Sequence, residues 1–472
     1  MNLAANSASP NKHGRQRPAR RPLLIGAAIL ALAAFSLPAR AQPGGIKLVR
    51  DAEIEALMRD YADPILRTAR VGAGATRIFL VNNRSFNAFV AGGRNIFIFA
   101  GAIMDATTPN ELIGVLAHET GHIAGGHLVR QHITMNQLGP VAIAGMLLSA
   151  GALATTVRSR NVGGSPIGIA GALTGPAEIM RRAMLSYQRA HEQAADIAAL
   201  RYLKTTKQSA RGLLVTLNRM HQDSMFRTAG VDPYVISHPL PAERLSYLRN
   251  QAAESPYWNA KDPATLQRRH DMARAKLVAF VGDASEVGRR YPLKDQSLAA
   301  RYARAIGAYR FGRLDAAVGQ IDGLIRVQKN NPWFHELKGQ ALLEGGRPGQ
   351  AVAPLKRALA LAPRATPIRV MLGHALVATG NPARAKEAAA VLARATQQEP
   401  ENAAAFQFLA MAYDRQGNQA MAQLSAAQAM FLAGQYVEAR TQAARAQRQL
   451  KPRSPAWLKA DDILSYRPPK YN

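Results

Sequence analysis

Cysteine is absent from all 472 residues. That excludes a disulfide framework and a lipid-modified N-terminal cysteine, and it means that any metal must be held by His, Asp or Glu. An exported chain of this size without cysteine loses nothing in an oxidising compartment such as a bacterial periplasm. Acidic residues are also scarce, with 31 Asp and Glu against 60 Lys and Arg and a formal charge of +29. Such an excess fits anionic lipid, acidic partners or nucleic acid. From Arg301 to the end, 24 basic residues face 11 acidic ones, scattered along the chain rather than gathered in a stripe. Solvated helix faces account for that pattern equally well.

Long apolar runs are few. One spans Leu23 to Leu37, behind Arg15, Arg17, Arg20 and Arg21 and ahead of Pro38 and the small-x-small triplet Ala39-Arg40-Ala41. This is the pattern of a secretory signal peptide cleaved after Ala41, and the run is too short for a retained span. The six basic residues before Gln42 leave the mature chain at +23. Export makes nucleic acid the weakest candidate partner, so none is expected. The other run, Val141 to Val157, is followed by a glycine-rich stretch and "SPIGIAGALTG". It is marginal for a span and predicts a buried or membrane-touching helical hairpin over 141–173.

The length allows two domains with proper cores. Asp51 is placed to cap a helix running to Ala69, and strands are expected around Ile78 to Val81 and Ile96 to Phe99 with a glycine turn at Gly92-Gly93. The latter strand would offer an edge to an extended substrate. Thr108-Pro109-Asn110-Glu111 opens a second helix, and a further long helix is expected over about 177–205. Behind a linker near Ser255-Pro256 the chain repeats: Gly339, Gly346 and Ala351 recur 34 residues later as Gly373, Gly380 and Ala385. That period, with small residues where two helices cross, is the tetratricopeptide signature and predicts an α-solenoid of about four units.

The chemistry concentrates in "AHETGH", residues 117–122. On a helix, residues four apart share a face, so His118 and His122 can direct two imidazoles at one ion while Glu119 sits beside it to take a proton from water. This is the H-E-x-x-H pattern of zinc peptidases. A catalytic zinc normally takes three protein ligands. His127 and His132 follow, but His127 lies nine residues after His118, half a turn out of phase, and reads as a surface or packing residue. On the later helix Glu192 and Asp196 share a face; Glu192 can reach the metal and Asp196 can accept from a ligand histidine.

The order "NAFVAGGRNIFIFAGAI", "NELIGVLAHETGHIAGGH", "QRAHEQAAD", "SHPLPAERL" resembles the M48 family of zinc metallopeptidases. An export signal in front and repeats behind make it similar to the branch of that family devoted to outer-membrane β-barrel assembly. The resemblance implies a mainly α protein, with a gluzincin-type α+β metalloprotease domain containing a small β-hairpin or sheet, followed by the α-solenoid. It implies a signal over 1–41, the peptidase over 42–255, linker helices over 256–297 and repeats over 298–472. It assigns one Zn2+ to His118, His122 and Glu192, the general base to Glu119 and the supporting acid to Asp196. Asn87 and Ala88 fit its pattern but fit turn residues equally well, whereas Ala195 stands where relatives often carry an acid, a difference expected to change surface charge more than the metal. His238 of "SHPLP" is expected to donate to the oxyanion of the tetrahedral intermediate, to block the zinc's open position, or both.

The function expected is that of a periplasmic zinc endopeptidase, with possible peripheral membrane contact through 141–173. It would act on misfolded or stalled envelope proteins, outer-membrane β-barrel precursors among them. The repeats would dock it on β-barrel assembly machinery or another protein. The alternative is mainly a chaperone or scaffold for outer-membrane protein assembly with a largely autoinhibited metal site.

Overall fold

The computed structural model describes residues 47–130, 188–226 and 242–467. The expected signal segment, the apolar stretch 141–173, His132 and His238 lie outside the described residues.

Asp51 does cap the first helix, α1 (Ala52–Ala69), its side chain accepting from the Ile54 N–H at 2.9 Å. α1 follows the short β1 (Leu48–Val49) and buries Ile54, Leu57, Met58, Tyr61, Ile65 and Leu66 on one side, the spacing an amphipathic helix requires. β2 (Arg77–Val81), β3 (Ala88–Ala91) and β4 (Asn95–Phe99) complete a four-stranded sheet in the order β1-β2-β4-β3. Gly92 and Gly93, both at positive φ, form the turn of the β3–β4 hairpin. The expectation that the Ile96 to Phe99 strand is an edge is overturned. β4 pairs in parallel with β2 and antiparallel with β3, so β3 is the outer strand. Alternation then sorts the faces: Leu80, Ala88, Ile96 and Ile98 are buried against the helices. Phe79, Phe97 and Phe89 stand in register on the other face, with successive ring centroids 5.1 and 5.0 Å apart.

After the short α2 (Ala100–Asp105) comes α3 (Pro109–Gly125), started as the sequence predicts by Thr108 and proline in the first turn. The Glu111 carboxylate accepts from the backbone N–H groups of Thr107 (2.9 Å) and Thr108 (3.2 Å), and Arg219 donates to it at 2.7 Å. α4 covers 188–205, followed by α5 (Arg211–Phe226), α6 (Ala242–Ala253) and α7 (Ala264–Val281). Two glycines let α3 approach its neighbours closely. A Cβ on Gly114 would lie 2.7 Å from the Leu213 Cβ on α5, and one on Gly121 would lie 2.7 Å from the Ala195 carbonyl oxygen on α4.

α7 belongs to two cores at once. Ala273, Leu277 and Val278 pack into the core of α1, the sheet and α3, while Met272, Ala275 and Ala279 pack into that of the first repeat helices. Between the cores Lys276 is buried, 2.8 Å from Asp51, 3.4 Å from Glu53 and 3.5 Å from Glu336, and the Tyr302 hydroxyl donates to Glu53 at 3.0 Å. Arg50 adds a second tie, donating to both oxygens of Glu399 at 2.8 and 2.7 Å.

After the short α8 (Ala284–Arg290), ten helices over 298–465 stack as five hairpins, one more than the repeated motifs suggest. The small residues do what the period implies. A Cβ on Gly339 would lie 2.4 Å from Leu355 Cγ and one on Gly373 2.3 Å from Leu392 Cγ, so each glycine is where the two helices of a hairpin cross. The described residues are mainly helical with one small mixed sheet. Among the described residues no helix is long and apolar enough to cross a membrane.

Candidate metal centre

Helical spacing places His118 and His122 on one face of α3, and α4 brings a carboxylate against them. His118 Nε2 lies 3.1 Å from His122 Nε2 and 3.3 Å from a Glu192 oxygen, and His122 Nε2 lies 3.2 Å from the other Glu192 oxygen. One donor atom from each of the three falls within 4.8 Å of the others, the arrangement of a metal-binding group. Three Lewis-basic atoms converging with no hydrocarbon between them are hard to explain by packing alone, and two imidazoles plus a carboxylate suit a divalent ion. Glu119, next to His118 on the same helix, is fully buried.

The surroundings orient these donors. Asp196, one turn after Glu192, holds His118 Nδ1 at 2.8 Å, the carboxylate partner that fixes a ligand histidine's tautomer and ring plane. Burial alone would lower the His118 pKa, but the hydrogen bonds and charges of Asp196 and Glu192 outweigh it and raise it to about 10. Burial would raise Asp196, yet its bonds to His118 and Arg244 hold it below the usual carboxylate range.

Two participants escaped the sequence reading. Arg244 on α6 is buried; its guanidinium bonds both Asp196 oxygens, one at 3.0 Å, and lies 3.1 Å from a Glu192 oxygen. Its only sequence signal is its place in "SHPLPAERL", six residues after His238. The second is His127, which is neither exposed nor out of reach. At 6 % exposure it sits with Nδ1 3.0 Å from His122 Nδ1. The helical phase argument fails because α3 ends at Gly125 and Gly126 adopts the left-handed conformation at φ 60°. Burial, with help from His191 and Arg130, lowers the His127 pKa to about 4, which keeps the ring neutral. Ala195 is buried rather than on the surface, and its backbone packs against Gly121.

Comparison with known proteins finds two families along the chain. Residues 49–252 match the model of Peptidase family M48, and residues 342–388 match a tetratricopeptide repeat. The β-barrel assembly-enhancing protease of Yersinia pestis is 26 % identical over 369 residues, covering 76 % of this chain and 72 % of that protein. The protein of that name from Escherichia coli K12 is 25 % identical over 387 residues, covering 79 % and 74 %. Among solved structures, the P58(IPK) tetratricopeptide-repeat domain aligns over 75 % of this chain and 97 % of its own at 14 % identity, with a TM-score of 0.18 that carries no likeness of the whole. With the histidine pair, the facing glutamate and the repeats all in place, residues 49–252 belong to the M48 family as a metallopeptidase domain, and tetratricopeptide repeats follow it in the same chain.

Proposed function

We propose that this protein is a periplasmic zinc endopeptidase acting on misfolded or stalled envelope proteins, outer-membrane β-barrel precursors among them. The observation that carries the reading is the convergence of the three donors. His118 Nε2 and His122 Nε2 lie 3.1 Å apart, each lies within 3.3 Å of a different Glu192 oxygen, and one donor atom from each residue falls within 4.8 Å of the others. Two imidazoles and a carboxylate are a usual ligand set for a catalytic zinc. His118, His122 and Glu192 would hold the ion, leaving one position for water or substrate. When bound, zinc supplies a Lewis acid that makes water acidic and polarises the scissile carbonyl. Glu119 accepts the proton of the attacking water and delivers it to the leaving amine. Asp196 and Arg244 keep His118 and Glu192 oriented. His238 is assigned by its motif to the oxyanion or to the ion's open position.

The outer strand β3 gives an unfolded segment a backbone to pair with, at little cost in sequence specificity. The peptidase would extend over 42–255, joined through 256–297 to repeats over 298–472 that bind a protein partner. The names of the relatives suggest β-barrel assembly machinery as that partner. Export by a signal peptide cleaved after Ala41 puts enzyme and clients in one compartment.

The test is hydrolysis of an unfolded outer-membrane β-barrel protein by the purified chain and by Glu119→Gln, with zinc measured in both. Cleavage by the wild type alone, with about one zinc per chain in each protein, is the expected result. Zinc in both and cleavage by neither would sink the peptidase reading in favour of client holding.

A further inference from the structure

Nine residues after His118, a continuous helix would carry residue 127 to the far side. The chain does not continue. Gly126 ends α3 at φ 60°, its N–H bonding the carbonyls of His122 and Ile123, and residues 127–130 resume helix beyond the break. The break folds the His127 ring back onto His122, with centroids 5.0 Å apart, planes 83° apart and Nδ1 to Nδ1 at 3.0 Å. On its other side the ring stacks on His191, the residue before Glu192, at 4.2 Å and 8°. The space it occupies exists because residue 125 has no side chain. A Cβ there would lie 2.2 Å from His127 Nε2 and 2.6 Å from Cδ2.

The two ligand histidines therefore differ in what holds their second nitrogen. His118 Nδ1 meets the Asp196 carboxylate, whereas His122 Nδ1 meets a second imidazole. A neutral imidazole has one donor nitrogen and one acceptor. If His122 presents Nε2 to a metal, its ring proton must be on Nδ1, and the atom placed to accept it is His127 Nδ1. We propose that His127 is a positioning residue of the metal centre, accepting the His122 Nδ1–H and so fixing the tautomer and ring plane that aim His122 Nε2 at the ion. Gly125 and Gly126 are parts of the same device, one leaving room for the ring and the other turning it inward. The inference rests on the reading of His118, His122 and Glu192 as metal ligands.

The experiment measures zinc dissociation constants by chelator competition on the whole chain, for wild type, His127→Leu, His127→Asn and Gly125→Ala. Thermal unfolding of each chelated protein controls for folding. Loss of the acceptor in His127→Leu is expected to weaken zinc about 10–100-fold, the usual effect of removing a ligand's hydrogen-bond partner. Asn, whose amide oxygen takes the place of Nδ1, should restore most of that loss, which a packing role would not produce. Gly125→Ala keeps the imidazole but pushes its ring aside, and should lose affinity as His127→Leu does. It also serves as the test should His127→Leu fail to fold. Wild-type affinity in His127→Leu, or equal losses in the Leu and Asn variants, overturns the positioning role while the metal centre stands. A wild type that takes up no stoichiometric zinc overturns the metal-centre reading itself.

Discussion

Gly121→Ala adds one methyl group between the two helices that carry the proposed metal donors. The new Cβ would lie 2.7 Å from the Ala195 carbonyl oxygen, 2.9 Å from its Cα and 3.2 Å from its carbonyl carbon. All three are backbone atoms, so no rotamer change relieves the clash, and α3 and α4 must part by about 0.7 Å to restore ordinary contact. His118 and His122 flank the site on α3, and Glu192 and Asp196 flank it on α4, so the shift falls directly on the donor set. Metal sites tolerate about 0.2 Å in ligand distance, and misplacement on the order of 1 Å costs about 100-fold in rate. We expect zinc affinity to fall about tenfold or more and hydrolysis about 100-fold, with about 1–3 kcal/mol of fold stability lost to overpacking. Gly319→Ala is the control, since a Cβ at Gly319 in helix Leu314–Val327 meets nothing within 4 Å. Ala should stabilise that helix by about 0.5–1 kcal/mol and leave zinc unchanged. Chelator competition, peptide hydrolysis and thermal unfolding read all three effects. A Gly121→Ala protein with wild-type zinc affinity and turnover would refute the close-approach reasoning.

Lys276→Met should destabilise the chain by about 3–5 kcal/mol in chemical denaturation, because it strands the Asp51, Glu53 and Glu336 carboxylates in the interface between the two cores. Glu336 itself is pushed up to about 7 by burial, which outweighs Lys276, with Asp51 and Glu53 adding to the rise. The unfolded chain gives up that proton near pH 4.5 and the folded one near 7, so stability from this group is greatest below 4.5 and falls as pH rises through 7. Glu336→Gln should therefore lose less stability than wild type between pH 5 and 8 in parallel melts. His118, raised to about 10, supports the chelated protein most below its ordinary value of 6.5, and that support is lost as pH rises through 10. Since a metal must displace that proton, zinc affinity should rise about tenfold per pH unit on that account alone from pH 7 to 9, with close to one proton released per zinc by calorimetry in two buffers.

Sequence by itself determined the local pieces. Asp51 and the Thr108-Pro109 start set their helices because caps act within three or four residues. The four-residue spacing put His118 and His122 on one face, and the 34-residue recurrence of Gly339 and Gly373 marked hairpin crossings. Each of these depends only on neighbours along one element. What the tertiary structure decided is everything that joins elements. β4 lies inside the sheet, and β3 at its edge, because a parallel pairing with β2 is made across an intervening strand. Arg244 reaches Asp196 and Glu192 from a helix nearly fifty residues on. His127 turns back onto His122 because Gly126 ends the helix that the phase argument assumed would continue. Lys276 is buried among Asp51 and Glu53 at the start of α1 and Glu336 of a repeat helix, a grouping no local spacing encodes. Helical periodicity says which way a side chain points, but the partner it meets is fixed by packing between segments far apart in the chain, where close approach and charge burial are settled together.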